Sequence, residues 1–275
     1  MGSARIRTPH LFSAVIAVGV AATILLVARM VAIHLEQRAL AWTASKRFQL
    51  KDQGMVFQRT AARARRVLPL YGSSELVIGV PDRANKFFQN APTGFQVSPV
   101  GTVGTTSLII LQKIAALGSD LHGRRLAISL SPVWFLMPAT KVDWYEGNFS
   151  LLAASELTFG SSVDFKLKRD IASRMLQFPG TVEKSPLLKF ALSRLSSGSW
   201  YDRLIFCAIL PFGKVYTAGL ELQDHFAAVA HILYVTNAAQ ARPRQRPDRP
   251  ISIKNRAKPT FGHESNSKTR PRKLN

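Results

Sequence analysis

The sequence predicts an α/β fold in which a parallel sheet is covered by helices on both faces and preceded by one apolar helix long enough to cross a membrane. Three observations predict it. Short apolar runs at 67–71, 95–100 and 126–130 are separated by helical stretches, the pattern of a parallel sheet with crossover helices. Residues 11–28 contain no charge. Finally, 275 residues with 47% hydrophobic and 9% aromatic content are enough to bury a sizeable core.

From the N-terminus, a short segment at 1–10 leads into an apolar span at 11–33, in which Val31, Ala32 and Ile33 extend the uncharged run past Arg29. The run exceeds the roughly 7 to 15 residues of a cleaved signal peptide, and Arg29 falls where small cleavage-site residues belong, so an uncleaved transmembrane anchor is expected. Residues 34–66 form a mixed, basic stalk carrying Lys46, Arg47, Lys51, Arg59, Arg63, Arg65 and Arg66. Attraction to anionic lipid, worth about 1 kcal/mol per basic residue, is one reading of these and a solvated face is the other.

The folded body is expected at 67–239. Val67 to Tyr71 reads as a strand, Gly72, Ser73 and Ser74 as a tight turn, and Glu75 to Ile78 as the start of a helix. Pro69 cannot donate to a ladder, which argues for an edge strand or a strand start. The second unit is a strand at 95–100, a turn at Gly101 and Gly104, and a buried helix at 105–117. The third strand, 126–130, ends at Ser131 and Pro132. Beyond it, Leu187, Leu188, Ala191, Leu192 and Leu195 mark a helix face within 184–195. Two further helices, 202–212 and 220–235, are expected to be broken by Pro211 and Gly213.

The net charge of +21 is unevenly spread, with +9 in residues 241–275 and +12 in the first 240. The tail, 240–275, is rich in proline and base and lacks helix or strand periodicity, so it reads as disordered. Its one aromatic is Phe261 and it has no recognition motif, so nucleic acid would bind it only nonspecifically and no specific nucleic-acid partner is expected. A single cysteine, Cys207, excludes an internal disulfide framework, and without a Cys pair or Cys/His cluster no zinc site, metal or cofactor is expected. Cys207 sits in the apolar run 204–212 and is expected to be buried and unreactive.

In parallel sheets, reactive groups gather at the carboxyl ends of strands, where turns present unpaired N–H groups. The first such end carries the hydroxyls of Ser73 and Ser74, and the second carries Gly101 and Gly104, whose missing side chains admit a close ligand. Together they suit a nucleophile beside an oxyanion hole. The same residues suit a helix cap and ordinary turns equally well. Neither a Gly-x-Ser-x-Gly elbow nor a P-loop is present, and the spacing alone establishes no enzyme.

Three blocks, Leu70-Tyr71-Gly72-Ser73-Ser74-Glu75-Leu76, Gly101-Thr102-Val103-Gly104-Thr105-Thr106-Ser107-Leu108 and Ile128-Ser129-Leu130-Ser131-Pro132-Val133-Trp134-Phe135, in this order and after a membrane span, resemble the DltD family of D-alanine transfer proteins in lipoteichoic acid D-alanylation. The resemblance covers roughly 11–235. It implies a three-layer α/β/α fold like that of the SGNH hydrolases, incomplete at the C-terminus. It makes Ser74 the catalytic nucleophile with Ser73 the runner-up, and it places the backbone N–H groups of Ser74 and Gly104, or less readily Gly101, in the oxyanion hole. Val133 replaces the glutamine common in the family's third block.

The family's Asp-x-x-His, which supplies the catalytic base and its orienting carboxylate, does not occur in this sequence. His10 and His34 flank the span, His122 lies in a turn, His263 is in the tail, and His225 and His231 lie on a predicted helix. Asp224 adjoins His225, but neighbours on a helix point about 100° apart and make a poor dyad. Members of the family are generally longer, so the expectation is a C-terminally truncated protein with a frameshifted end. Asn148-Phe149-Ser150 matches a glycosylation acceptor, which a bacterial setting would make accidental.

Two functions follow from the resemblance. One is a membrane-anchored serine acyltransferase or thioesterase-like enzyme that moves D-alanyl groups to an anionic envelope polymer, alongside other D-alanylation proteins. The other is an inactive remnant or binding component. The local charge balance, Arg5 and Arg7 before the span against Arg29, Arg38, Lys46 and Arg47 after it, favours a cytoplasmic body. The resemblance implies an extracytoplasmic one in the cell membrane, and we adopt the latter expectation.

Overall fold

The computed structural model describes residues 9–43, 54–77, 84–91, 93–136 and 139–241. The predicted tail from 242 onward, His263, the end of the turn helix at Ile78 and stalk residues 44–53 lie outside them. The chain divides into two units, Met1–Thr236 and Asn237–Asn275. All that follows concerns the first, apart from the end of its last helix.

The element order is α1 (Pro9–Thr43), α2 (Met55–Arg63), β1 (Val67–Tyr71), a 3-10 turn (Ser74–Leu76), α3 (Ala84–Asn90), β2 (Gln96–Val100), α4 (Ser107–Leu117), a second 3-10 turn (Gly118–Leu121) and β3 (Ala127–Ile128). Then come α5 (Val133–Leu136), α6 (Val142–Asn148), α7 (Leu151–Phe159), α8 (Phe165–Met175), α9 (Pro179–Val182), α10 (Pro186–Ser197) and α11 (Trp200–Ala241). The fold is α/β with a small parallel sheet and mostly helical mass. The three strands run parallel in the order β2-β1-β3, and the third has only two paired residues, fewer than its apolar run suggests.

Strand β1 is central, which corrects the edge reading of Pro69. The Tyr71 carbonyl accepts from Ser129 N at 2.7 Å, and by strand alternation Pro69 faces the same side. The β3 pairing starts only at Leu70↔Ala127, so no β3 acceptor waits for the N–H that proline lacks. On the β2 side, Gly72 N donates to Val100 O at 3.1 Å and prolongs the ladder by one bond.

Three apolar clusters build the body, one of them joining α1, α2 and α11 through Ala39, Val56, Phe57, Ala228 and Ile232. Tyr71, Val100, Ile110, Leu117 and Leu152 join the sheet to α2, α4 and α7. Leu157, Met175, Leu188, Leu192 and Phe206 join the later helices. Tyr71, fully buried, also donates its hydroxyl to Gln58 Oε1 at 3.2 Å, tying the sheet to α2. Polar caps close the helices: the Thr106, Ser150, Asp164 and Ser185 side chains accept from the first turns of α4, α7, α8 and α10. The buried Lys168 donates to Thr158 O at 3.0 Å and to Gly160 O at 2.5 Å, a cation at the C-terminus of α7.

Helix α2 is part of this packing, with Met55, Val56, Phe57, Ala61 and Ala62 buried. Its Arg59 is the centre of an ion-pair network rather than a member of a solvated face. Arg59 donates to Glu221 Oε1 at 2.5 Å, Glu156 Oε1 at 2.8 Å and Ala116 O at 3.2 Å, with Asp120 at 3.8 Å. Burial opposes its charge, and the carboxylates of Glu156, Glu221 and Asp120 overcome that and hold the guanidinium above its ordinary value.

Helix α11 runs unbroken through Pro211 and Gly213, contrary to the expected break. Phe206 stacks on Phe159 at 6.2 Å and meets Phe165 edge-on at 5.8 Å, while a side chain at Gly213 would overlap the Phe159 ring. Glycine there permits close approach of helix to ring, and packing on both sides of Pro211 outweighs the one hydrogen bond the proline forfeits. Much of the exposed surface of α11 is apolar, including Leu204, Phe212, Val215 and Phe226, with Arg203, Lys214 and Gln223 among it. Cys207 lies in this helix and is exposed, which corrects the buried-thiol expectation. Residues Phe12–Leu40 of α1 and Trp200–Asn237 of α11 are both long and apolar enough to cross a membrane by length and composition.

Burial pulls the Lys113 ammonium on α4 down to about 8 from its ordinary 10.5. Between about pH 8 and 10.5 the unfolded chain therefore holds one more proton than the folded one, and stability rises with pH across that window. Lys113→Met should lack this rise and be more stable at neutral pH by about 2–3 kcal/mol. Urea unfolding of both forms from neutral to alkaline pH measures the difference, which should shrink as pH climbs.

Candidate functional site

The order β2-β1-β3 means that the chain leaves β1 to one side and later crosses back to the other. Parallel sheets bind ligands at the carboxyl edge beside such a reversal. Ser73 and Ser74 follow β1 directly into that edge. Ser73 is buried, with φ −122° and ψ −132°, and its N–H donates to Glu75 Oε1 at 2.7 Å. Ser74 is half-buried and opens a single 3-10 turn, closed by Leu76 N to Ser73 O at 3.2 Å and Val77 N to Ser74 O at 2.9 Å. Among the described residues, the Ser74 hydroxyl and N–H have no hydrogen-bond partner.

The turn after β2 lies against this one. Gly101 has φ +150°, and a Cβ there would overlap Gly72 O, so the two backbones meet where a side chain cannot fit. Gly104 is buried at φ +77°, and a Cβ there would press on Trp144 Cγ at 3.1 Å. The Gly104 N–H donates to no group among the described residues. Thr105 Oγ1 braces the loop by accepting from Thr102 N at 2.9 Å and donating to Thr102 O at 2.8 Å. The third turn follows β3: Trp134 N donates to Ser131 O at 3.1 Å, Trp134 packs inward, and Phe135 and Leu136 are exposed.

Asn148 supports this loop, a role its sequence did not reveal. It is buried, and its Nδ2 donates to Val103 O at 3.2 Å and to Trp144 O at 2.9 Å. The Asn-x-Ser match at this position is thereby explained as a structural asparagine with a committed amide. The neighbouring Tyr145 receives a hydrogen bond from Gln112 Nε2 at 2.7 Å and stacks on Phe178 at 4.0 Å, and burial pushes its phenol above the ordinary range.

The structure thus brings Ser73, Ser74, Gly101 and Gly104 to one edge, and places the described histidines elsewhere. His122 is exposed in the loop entering β3, at the opposite end of the sheet. His34 is exposed on α1, and His231 is half-buried on α11. His225 is buried with its Nδ1 2.8 Å from Glu36 Oε1 and its Nε2 3.9 Å from Glu221. Asp224 does not orient His225: its Oδ2 accepts from Val56 N at 2.8 Å. Among the described residues no hydrogen bond joins a histidine to Ser73 or Ser74.

Fold and site define an α/β protein with a serine turn and a glycine loop at the carboxyl edge of a small parallel sheet, preceded by a helix of membrane-spanning length. The family profile described as DltD protein matches residues 45–268, and the chain belongs to that family. It is 29% identical over 172 residues to Protein DltD of Bacillus subtilis (strain 168), covering 62% of this chain and 43% of that protein. It is 27% identical over 148 residues to Protein DltD of Staphylococcus aureus (strain NCTC 8325 / PS 47), covering 53% of this chain and 38% of that protein. The chain therefore matches less than half the length of these curated relatives.

Asn148→Ala should leave the Val103 and Trp144 carbonyls without their donor and destabilise the protein by about 1–3 kcal/mol. Asn148→Asp, which also lacks the donor, should behave alike. Hydrogen exchange read peptide by peptide should rise at 101–105 in both variants and change little in α8 and α10.

Proposed function

We propose that this chain is a membrane-anchored component of D-alanine transfer to an anionic envelope polymer of the lipoteichoic acid kind, with Ser74 as nucleophile. The observation that carries this reading is the meeting of the serine turn with the glycine loop at Gly72 and Gly101. Family membership supports a role in D-alanylation. The basic body suits an anionic acceptor.

In this reading Ser74 Oγ attacks the carbonyl carbon of a D-alanyl donor and loses its proton to a base, while the N–H groups of Ser74 and Gly104 stabilise the oxyanion. The tetrahedral intermediate collapses by expelling the donor's leaving group, which takes up a proton, and a D-alanyl ester remains on Ser74. A polymer hydroxyl then attacks that ester, gives up its proton to the same base, and releases Ser74. We further propose an SGNH-like three-layer arrangement and an extracytoplasmic body anchored by α1. A second reading, a non-catalytic binding component working with other D-alanylation proteins, is favoured by one observation: His225 is held by Glu36 and not by the serine turn.

A serine-reactive fluorophosphonate probe applied to the full chain in detergent separates the two. Labelling should fall at least tenfold in Ser74→Ala and persist in Ser73→Ala. A folded protein that takes up no label supports the binding component and removes the acyl-transfer mechanism. For topology, a periplasm-type phosphatase reporter fused after Leu117 should be active, and activity of a cytoplasm-only reporter at the same position would reverse the orientation.

A further inference from the structure

The opposite end of the sheet carries a feature the serine turn does not use. Arg65 and Arg66 immediately precede β1, and Arg124 and Arg125 lie just before β3. Because β1 and β3 are parallel, all four enter from the amino edge. Each is exposed, and none forms an ion pair among the described residues, whereas nearby Arg63 is already committed to both Asp120 oxygens at 2.9 and 3.2 Å. Arg65, Arg124 and Arg125 line a cavity of about 410 Å³ with Val67, Leu68 and Phe95. Gly123 belongs both to this cavity and to the adjoining cleft of Arg29, Arg63 and His122.

Arg29 locates this edge relative to a membrane. It is the first charge after the uncharged run 11–28, whose helical length of about 27 Å is close to the thickness of a bilayer's hydrocarbon core. Arg29 pairs with Glu221 at 3.1 Å, and the same oxygen takes Arg59. Ile33, Arg63 and Ala64 line one further cavity with Arg29. The point where α1 leaves its uncharged run is therefore joined to the amino edge of the sheet, where the unpaired arginines stand.

We propose that Arg65, Arg66, Arg124 and Arg125 dock the amino edge of the sheet onto the phosphate groups of anionic phospholipids, holding the Ser74 edge away from the bilayer. The proposal rests on the reading of α1 as a spanning anchor. Guanidinium forks match phosphate oxygens, and each basic residue near an anionic surface strengthens attachment about fivefold. Phospholipid is the occupant because the arginine edge adjoins the first charge of the anchor.

The test uses the full chain with Cys207→Ser and one new cysteine carrying a bimane label, in nanodiscs of phosphatidylcholine with or without phosphatidylglycerol. Nitroxide lipids are the quenchers. A label at His122→Cys should be quenched by headgroup nitroxide several-fold more strongly in phosphatidylglycerol discs, and molar salt should abolish the difference. Replacing the four arginines by glutamine should also abolish it, and replacing them by lysine should preserve it. A label at Val103→Cys, on the serine edge, should stay bright. Equal quenching of the position-122 label in both lipids, quenching that survives the glutamine changes, or stronger quenching at 103 than at 122 would overturn the proposal. A Val20→Cys label reads the anchor through acyl-chain nitroxide. Quenching there with none at 122 overturns docking alone, whereas a bright label at 20 overturns the anchor and the docking together.

Discussion

Arg59 is the constraint around which the rest of the structure is arranged. One guanidinium on α2 reaches Glu156 on α7, Glu221 on α11, the Ala116 carbonyl near the end of α4, and Asp120 in the turn that follows. Losing this partly buried cation would be costly, since it would leave Glu156 without its ion-pair partner and take one arginine each from Glu221 and Asp120. The network holds α2 against the later helices, and α2 holds β1 through Tyr71 and Gln58. The serine turn leaves β1 at Gly72, so the placement of Ser74 descends from this junction. Glu221 extends it to Arg29, which brings α1 into the same set of interactions.

The parts of the fold that were legible in the sequence are those set by short-range chemistry. The strands at Val67 and Gln96, the glycine turns and the helix of Ser107–Leu117 each carry an apolar run and a punctuating residue within a dozen positions. Gly101 and Gly104 were readable because a positive φ and a close backbone approach leave a local mark. Arg59 was not, because its partners lie 97 and 162 residues away and a basic residue in a polar stretch looks the same whether solvated or paired. Asn148 was obscured by a three-residue match, while its true partners, Val103 and Trp144, are visible only once the loop is folded.

Pro69 and Pro211 show why a residue rule can fail without its physics failing. Proline removes one donor in both places. At 69 the short β3 leaves that side of β1 with no acceptor to satisfy, and at 211 the helix is held by aromatic packing before the proline and by the close Gly213 contact after it. The cost stated by the rule is present in each case, and the surroundings either remove it or exceed it.

The pairing of Glu36 with His225 bears most directly on chemistry. Both residues sit on the long apolar helices, and both are buried, so a carboxylate of α1 and an imidazole of α11 meet between the two helices. The pair is held because either group, buried and left without the other, would be expensive. The consequence for the serine turn is that His225, buried and oriented by a carboxylate as a catalytic base requires, is spent on joining two helices. Under the acyl-transfer reading, the Ser74 proton must then pass to a group beyond these side chains. Two N–H donors can stabilise an oxyanion but cannot accept a proton, so under that reading the turn would supply only half of an acyl-transfer site. Whatever brings the base to that edge would control whether Ser74 reacts.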